Sequence, residues 1–259
     1  MRLLLPPSES KNDGRTDSPL DLTMLSFPEL TATRAKAIAA LEKLSAKPKT
    51  ARTALGISEK QDFERLRNLD LLAAPTSPAA DIYSGVLYEA LDLHSLTATQ
   101  RRRADATILI QSSLFGWLTP ADRIPAYRLS GDVTLPRLGT VASLWKKHLQ
   151  KSLDDELIVD MRSGTYSKFW QPAAHQLAHT VVIKVMQTVT DGRGTRKIAV
   201  SHFNKATKGR VARYLLTHKA IATSAAELNE LLQAGGWTTE HTDATAKAPH
   251  IIEVIVKDL

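Results

Sequence analysis

The apolar residues of this chain come in short runs, each cut off by turn formers, and that pattern most limits what it can fold into. Leu3-Leu4-Leu5 stops at Pro6-Pro7, and Ile108-Leu109-Ile110 leads into Ser112-Ser113. Leu157-Ile158-Val159-Asp160 is followed by a Ser-Gly turn, and Ile251 to Val256 lies near the C-terminus. Runs this short, bounded by Pro, Gly or Ser, predict buried strands. Between them lie segments with helix signals. Pro28 to about Ala46 is Ala-rich, with Ile38, Leu41 and Leu44 on one face and Pro48 closing it. Ser58 to Gln61 and Thr97 to Gln100 have capping-box form, the first ahead of Phe63, Leu66 and Leu69. Thr119-Pro120-Ala121-Asp122 offers a cap, a proline at the first helical position and an acid in the first turn, and predicts another helix start. Tyr83 to Leu91 and Ala206 to Thr217 are helical in pattern. Val181 to Thr190, the turn Asp191 to Gly194 and Arg196 to Phe203 predict a β-hairpin.

Helices and strands interleave without a strict βαβ period, an internal repeat or a linker. The expected fold is α+β, one mixed domain over residues 1–259. With 43% hydrophobic residues the chain can bury a sizeable core, and with no Cys it must hold that core by packing alone. The lack of Cys also excludes disulfides, thiolate metal sites and a cysteine nucleophile. No run approaches the roughly 7–15 apolar residues of a secretory leader or the about 20 of a membrane helix. The expected place is the cytoplasm, with no membrane partner.

Lys and Arg number 34 against 27 Asp and Glu, a net charge of +7. The excess is concentrated: from Gly192 to Ala226 there is no acid, while Arg193, Arg196, Lys197, Lys205, Lys208, Arg210, Arg213 and Lys219 stand there with His202 and His218. On a helix over 206–217, Arg210, Arg213 and Thr217 share the face opposite Val211 and Leu215. Such a stripe can neutralise phosphates without reading bases. It can equally be a solvated face whose acidic partners come from Asp154, Asp155 and Glu156.

Two further constellations carry chemistry. Leu114-Phe115-Gly116-Trp117-Leu118, between an apolar run and the helix start at Thr119, suits a helix–turn–helix whose second N-terminus attracts anions, with Gly116 admitting a phosphate and Arg123 and Arg128 downstream. The alternative is core packing of Phe115 and Trp117 around a plain turn glycine. Ser8-Glu9-Ser10-Lys11 follows the first strand, where ligands gather at strand ends. No phosphate-binding glycine loop, HExxH or GxSxG occurs. His175 and His179 are four apart without an acidic companion, and Asp154, Asp155 and Glu156 point in different directions. No metal site and no cofactor are expected.

At these residues the chain resembles the YaaA peroxide-stress protein family. The resemblance runs from Leu3 to Lys11 through Phe27-Pro28-Glu29-Leu30 and Tyr83-Ser84-Gly85. Its most specific block is Ser112 to Pro120 with Ile124-Pro125-Ala126-Tyr127-Arg128-Leu129. Leu144-Trp145, Ile158-Val159-Asp160, Tyr166 and Lys197 to Lys208 continue it. It implies a single α+β domain with a positively charged cleft and an embedded helix–hairpin–helix-like element, here Ser112 to Trp117, with Ser113 where the family's first hairpin glycine stands. It also implies binding of DNA, duplex or distorted, and limitation of iron-driven oxidative damage.

Two readings of function follow. In the first, the protein binds DNA without sequence specificity and protects it against peroxide and iron. Gly116, Arg123, Arg128, Lys205, Lys208, Arg210 and Arg213 would contact the backbone. In the second, it is an enzyme acting on a nucleotide, nucleobase or other small anionic ligand, with Glu9, Lys11, Tyr127, Arg128, Asp160, Tyr166 and Lys205 as a polar cluster. A basic scaffold for another protein is a third reading.

Overall fold

A computed structural model of the chain describes residues 1–15, 18–150, 153–191, 194–199 and 202–256. In chain order the elements are β1 (Arg2–Leu5), α1 (Thr31–Ser45), α2 (Pro48–Leu55), α3 (Asp62–Arg67), β2 (Ser77–Pro78), α4 (Ala79–Ile82), α5 (Val86–Leu91) and α6 (Ala98–Thr107). Next come β3 (Ile108–Ser112), β4 (Gly116–Leu118), β5 (Arg123–Ile124), β6 (Thr134–Leu135), β7 (Gly139–Thr140), α7 (Val141–Leu149), β8 (Ile158–Asp160) and α8 (Gly164–Ser167). The last are β9 (Thr180–Asp191), β10 (Gly194–Ala199), α9 (His202–Thr217), α10 (Ala225–Ala234), β11 (Thr238–Thr242) and β12 (His250–Val256). Among the described residues no helix is long and apolar enough to cross a membrane.

The main sheet is ordered β11-β12-β9-β8-β1-β3-β4, with β10 also paired to β9. Its middle is parallel: β12 with β9, β9 with β8, β8 with β1 and β1 with β3. A parallel strand covered on both faces must be apolar throughout, which is why Leu3, Leu4 and Leu5 are consecutive and all fully buried. The strands expected at 2–5, 108–110, 157–160 and 251–256 are all present. Both capping boxes form. The buried apolar residues make one cluster from Leu3 to Val254, so the α+β unit has a single core.

Helix α9 lies against α5. Gly209 allows the approach: a Cβ there would sit 2.3 Å from the carbonyl oxygen of Leu87. Arg213 fixes the same pair, donating to the carbonyls of Leu91 and Asp92 at 2.9 and 2.6 Å. The α9 helix begins at His202, so the second hairpin strand ends at Ala199 rather than Phe203. The turn residues Gly192 and Arg193 lie outside the described residues.

Two expectations are corrected. The stretch from Ser112 to Trp117 is not a helix–hairpin–helix-like element but the turn of a β3–β4 hairpin, pairing Ile110 with Leu118 and Ser112 with Gly116. The Ser112 hydroxyl accepts from the N–H groups of Leu114 and Phe115, which closes a side-chain-mediated turn in place of a helix. Second, no helix starts at Thr119. The Asp122 carboxylate accepts from Thr119 N–H at 2.7 Å and from Ser26 N–H at 2.8 Å, folding the segment into a turn before β5. In α3 the buried residue is Arg65, held by Asp62 and the Ser45 carbonyl, while Phe63, Leu66 and the following Leu69 are exposed.

Gly116 has φ +74°, and a Cβ on it would lie 2.8 Å from the Trp145 ring. A left-handed residue costs a side-chain-bearing amino acid about 1–2 kcal/mol, and overpacking typically adds about 1–3 kcal/mol. Gly116→Ala is therefore expected to lower the unfolding free energy by about 2–5 kcal/mol, measured by urea denaturation.

Candidate functional site: a mixed-charge cleft at the strand ends

A cleft opens where β1 and β8 end. Pro6 and Pro7 terminate β1 because neither can donate to a neighbouring strand. The loop that follows forms one wall with Ser8, Glu9 and Ser10. The opposite walls come from Ser84 to Tyr88 at the start of α5, Asp160 to Gly164 after β8, Tyr166, the middle of β9 and three residues of α9: Asn204, Lys205 and Lys208. The cleft encloses about 840 Å³. Tyr88 braces the first wall by donating from its hydroxyl to the Pro6 carbonyl at 2.7 Å.

Its floor is an ion pair. Arg162 Nε and one terminal nitrogen donate to the two oxygens of Asp160 at 2.9 and 2.7 Å. Its other N–H groups reach Gln111 Oε1 at 2.6 Å and the carbonyls of Tyr166 and Trp170 at 3.3 and 2.9 Å. The guanidinium also lies near the rings of Trp117 and Trp170, 5.7 and 5.4 Å from their centroids. Burial alone would raise the Asp160 pKa, but Arg162 outweighs it and holds the carboxyl below the ordinary range. Lys208 Nζ donates to the Arg162 carbonyl at 3.3 Å. Burial lowers its pKa to about 8, with Asp160 opposing the fall. Removing one partner of such a buried pair strands the other's charge, so Asp160→Asn is expected to destabilise the fold by about 3–5 kcal/mol in chemical denaturation.

Behind the Ser8–Ser10 loop lies a second cluster. Lys11 is buried and donates to the carbonyls of Ser8 and Glu9 at 2.8 and 3.3 Å. Its ammonium sits 4.4 Å from the centre of the Tyr127 ring. The Tyr127 hydroxyl is 2.9 Å from that of Tyr83 and 2.8 Å from Ser112 Oγ. Burial pushes both phenols up, as it does Tyr88 and Tyr166. The same burial, with help from Arg128, pulls Lys11 down to about 7 from 10.5. Above pH 7 the folded protein gives up this proton while the unfolded chain keeps it, so stability rises with pH up to the unfolded pKa. Lys11→Met is expected to show a smaller gain in unfolding free energy between pH 7 and pH 9 than the parent, read from urea titrations at the two values.

The structure thus brings Glu9, Asp160, Tyr166, Lys205 and Lys208 into one cleft and sets Lys11 and Tyr127 behind its rim. Arg128 acts on Lys11 electrostatically from the same side. The cleft is of mixed charge, with Arg162, Lys184, Lys205 and Lys208 facing Glu9 and Asp160, rather than lined by cations alone. Five expected contact residues do not line it, Arg128 among them. Gly116 is enclosed by Trp145 and Leu30, where no phosphate reaches. Arg123 donates to the Thr76 carbonyl at 3.0 Å, and Arg213 is engaged with the end of α5. Arg210 is exposed on α9.

The acid-free segment finds its carboxylates elsewhere than expected. Lys197 pairs with Glu240 and Glu253, whereas Glu156 pairs with the N-terminal amine and Arg2. His175 does have an acidic companion, Asp155, at 3.2 Å. Sequence reasoning missed Arg162. The spacing Asp-x-Arg directly after a buried strand was the available signal, because alternate residues past a strand end turn to the same side.

The family model described as "Peroxide stress protein YaaA" matches residues 1–242. The chain belongs to this family. It is 41% identical to a UPF0246 protein of Streptomyces coelicolor over 100% of both chains. A UPF0246 protein of Corynebacterium efficiens is 44% identical over 93% of this chain and 95% of its own. An uncharacterized protein of Campylobacter jejuni is 29% identical over 81% of this chain and 82% of its own.

Proposed function

We propose that this YaaA-family protein serves peroxide defence by binding DNA without reading sequence, and that its cleft holds one nucleotide unit of the bound strand. One observation carries the reading: Lys205 and Lys208, one turn apart on α9, face Glu9, Asp160 and Arg162 across a single cleft. Ammonium groups neutralise phosphate, while a carboxylate accepts from the exocyclic amines of bases. A polyanion clamp alone has no use for the Glu9 carboxylate. A cleft of about 840 Å³ is also of the size that encloses a small organic ligand. A nucleotide enters such a site from a duplex only by leaving the stack, at least cost where the DNA is already bulged or damaged. The peroxide-stress description of the family fits a protein that meets DNA in that condition.

A second reading, an enzyme acting on a nucleotide or nucleobase, is favoured by Lys11 and Lys208, whose amines burial brings to about 7 and about 8. Near neutral pH such groups exchange protons readily.

The test is fluorescence anisotropy on duplex, bulged and single-stranded DNA over a salt series. Log affinity is expected to fall linearly with log salt, by about 0.9 per phosphate neutralised. Replacing Lys205, Lys208 and Arg210 together with Ala is expected to reduce that slope, and bulged DNA to bind more tightly than intact duplex. An unchanged slope in the triple variant removes α9 from the interface. Glu9→Gln separates the readings. Binding with no turnover in either form supports the first, whereas base or nucleotide conversion by the parent that the variant loses supports the second.

A further inference from the structure

At one edge of the main sheet, the last paired residues of β11 and β12 are Thr242 and Ile251. One step further along the same register Asp243 stands opposite His250, and His241 lies two residues back on the same face. His241 Nε2 is 3.1 Å from His250 Nδ1. A single carboxylate oxygen, Asp243 Oδ1, is 3.7 Å from the first nitrogen and 3.6 Å from the second. These three atoms form one nearly equilateral triangle. The point equidistant from them is about 2.0 Å from each, the length of a Zn–N or Zn–O bond.

An ordinary histidine–carboxylate pair brings one imidazole to one carboxylate, as His175 and Asp155 do. Here two imidazole nitrogens and a carboxylate oxygen converge on a common point. The backbone N–H of Ala244 donates to His250 Nδ1 at 3.1 Å, so that nitrogen bears the lone pair needed for coordination. The rings are mostly covered, at 19% and 16% side-chain exposure, while Asp243 is open at 88% and gives an entry path. None of the three residues lines the cleft at the strand ends.

We propose that His241, Asp243 and His250 bind a divalent first-row transition-metal ion, Zn²⁺ in the first place. Two nitrogen donors and one oxygen donor suit such an ion better than Ca²⁺ or Mg²⁺, which take oxygen ligands. Three protein ligands leave a further position to water. On binding, the ion takes the His250 lone pair from the Ala244 N–H. Because the ligands join β11, the loop after it and β12, the ion also ties down the end of the β11–β12 ladder. Asp243 and His250 lie beyond the span that the family model matches.

The experiment is calorimetric titration of the untagged, EDTA-treated full chain with ZnCl₂, followed by visible absorption with Co²⁺. One equivalent is expected to bind, and Co²⁺ to give the intense bands of a four- or five-coordinate ion. His241→Ala and Asp243→Asn are each expected to weaken binding at least about tenfold, the lower end of what even outer-shell changes do. His175→Ala, which removes a histidine from the separate pair with Asp155, is expected to leave it unchanged. Asp243 is exposed, so Asp243→Asn keeps the fold, and circular dichroism checks both ligand variants. Absence of a stoichiometric site overturns the proposal. So does binding that survives His241→Ala and Asp243→Asn, or that falls equally in His175→Ala.

Discussion

A guanidinium cannot shed its proton in a protein, so once Arg162 is buried everything around it has to answer its charge. All five of its N–H groups are used: two on Asp160, one on Gln111 and two on the carbonyls of Tyr166 and Trp170. Those partners come from β8, β3 and the segment around α8. One side chain therefore fixes where the β8 strand ends, how the following segment turns back and which way Asp160 points. An imperfect shell would leave a buried charge worth several kcal/mol against folding. The cleft inherits its rigidity from that requirement, since its floor is this ion pair.

The remaining walls follow from close packing. Gly209 lets α9 touch the backbone of α5, and Arg213 bolts the two together. The backbone positions from which α9 presents Lys205 and Lys208 are thereby fixed over the strand ends. Across the cleft, Lys11 anchors the Ser8–Ser10 loop through two carbonyls while resting on Tyr127. Lys205 and Lys208, a paired carboxylate and an exposed one form a polar cleft of the kind that recognises a charged organic group. Membership of the peroxide-stress family gives this cleft a biological setting, and the DNA reading joins the two.

Much of the fold was legible in the chain. Three consecutive leucines before two prolines can only be a strand covered on both faces, and the capping boxes at Ser58 and Thr97 mark helix starts because their hydrogen bonds are local. Glu9, Asp160, Tyr166 and Lys208 could be named because they sit at or near strand ends or in an acid-free segment. The failures share a cause. Thr119-Pro-Ala-Asp has every local mark of a helix start, yet Asp122 is drawn to Ser26, a residue distant in sequence. Gly116 and the arginines at 123 and 213 looked free for phosphate because nothing nearby in the chain claims them; their neighbours Trp145, Thr76 and Leu91 come from elsewhere.

By itself the sequence determined the alternation of short buried strands with capped helices, the absence of any covalent staple, and a cation-rich C-terminal third, since each depends on residue type and near-neighbour spacing. Only the tertiary structure decided which of those cations face a common space and which are consumed by carbonyls or carboxylates. It also decided that Arg162 forms the floor of the cleft and that His241, Asp243 and His250 meet at a point. The reason is that strand order and register, which no local interaction sets, govern which distant side chains share a volume; charge and hydrogen bonding act only once that volume exists.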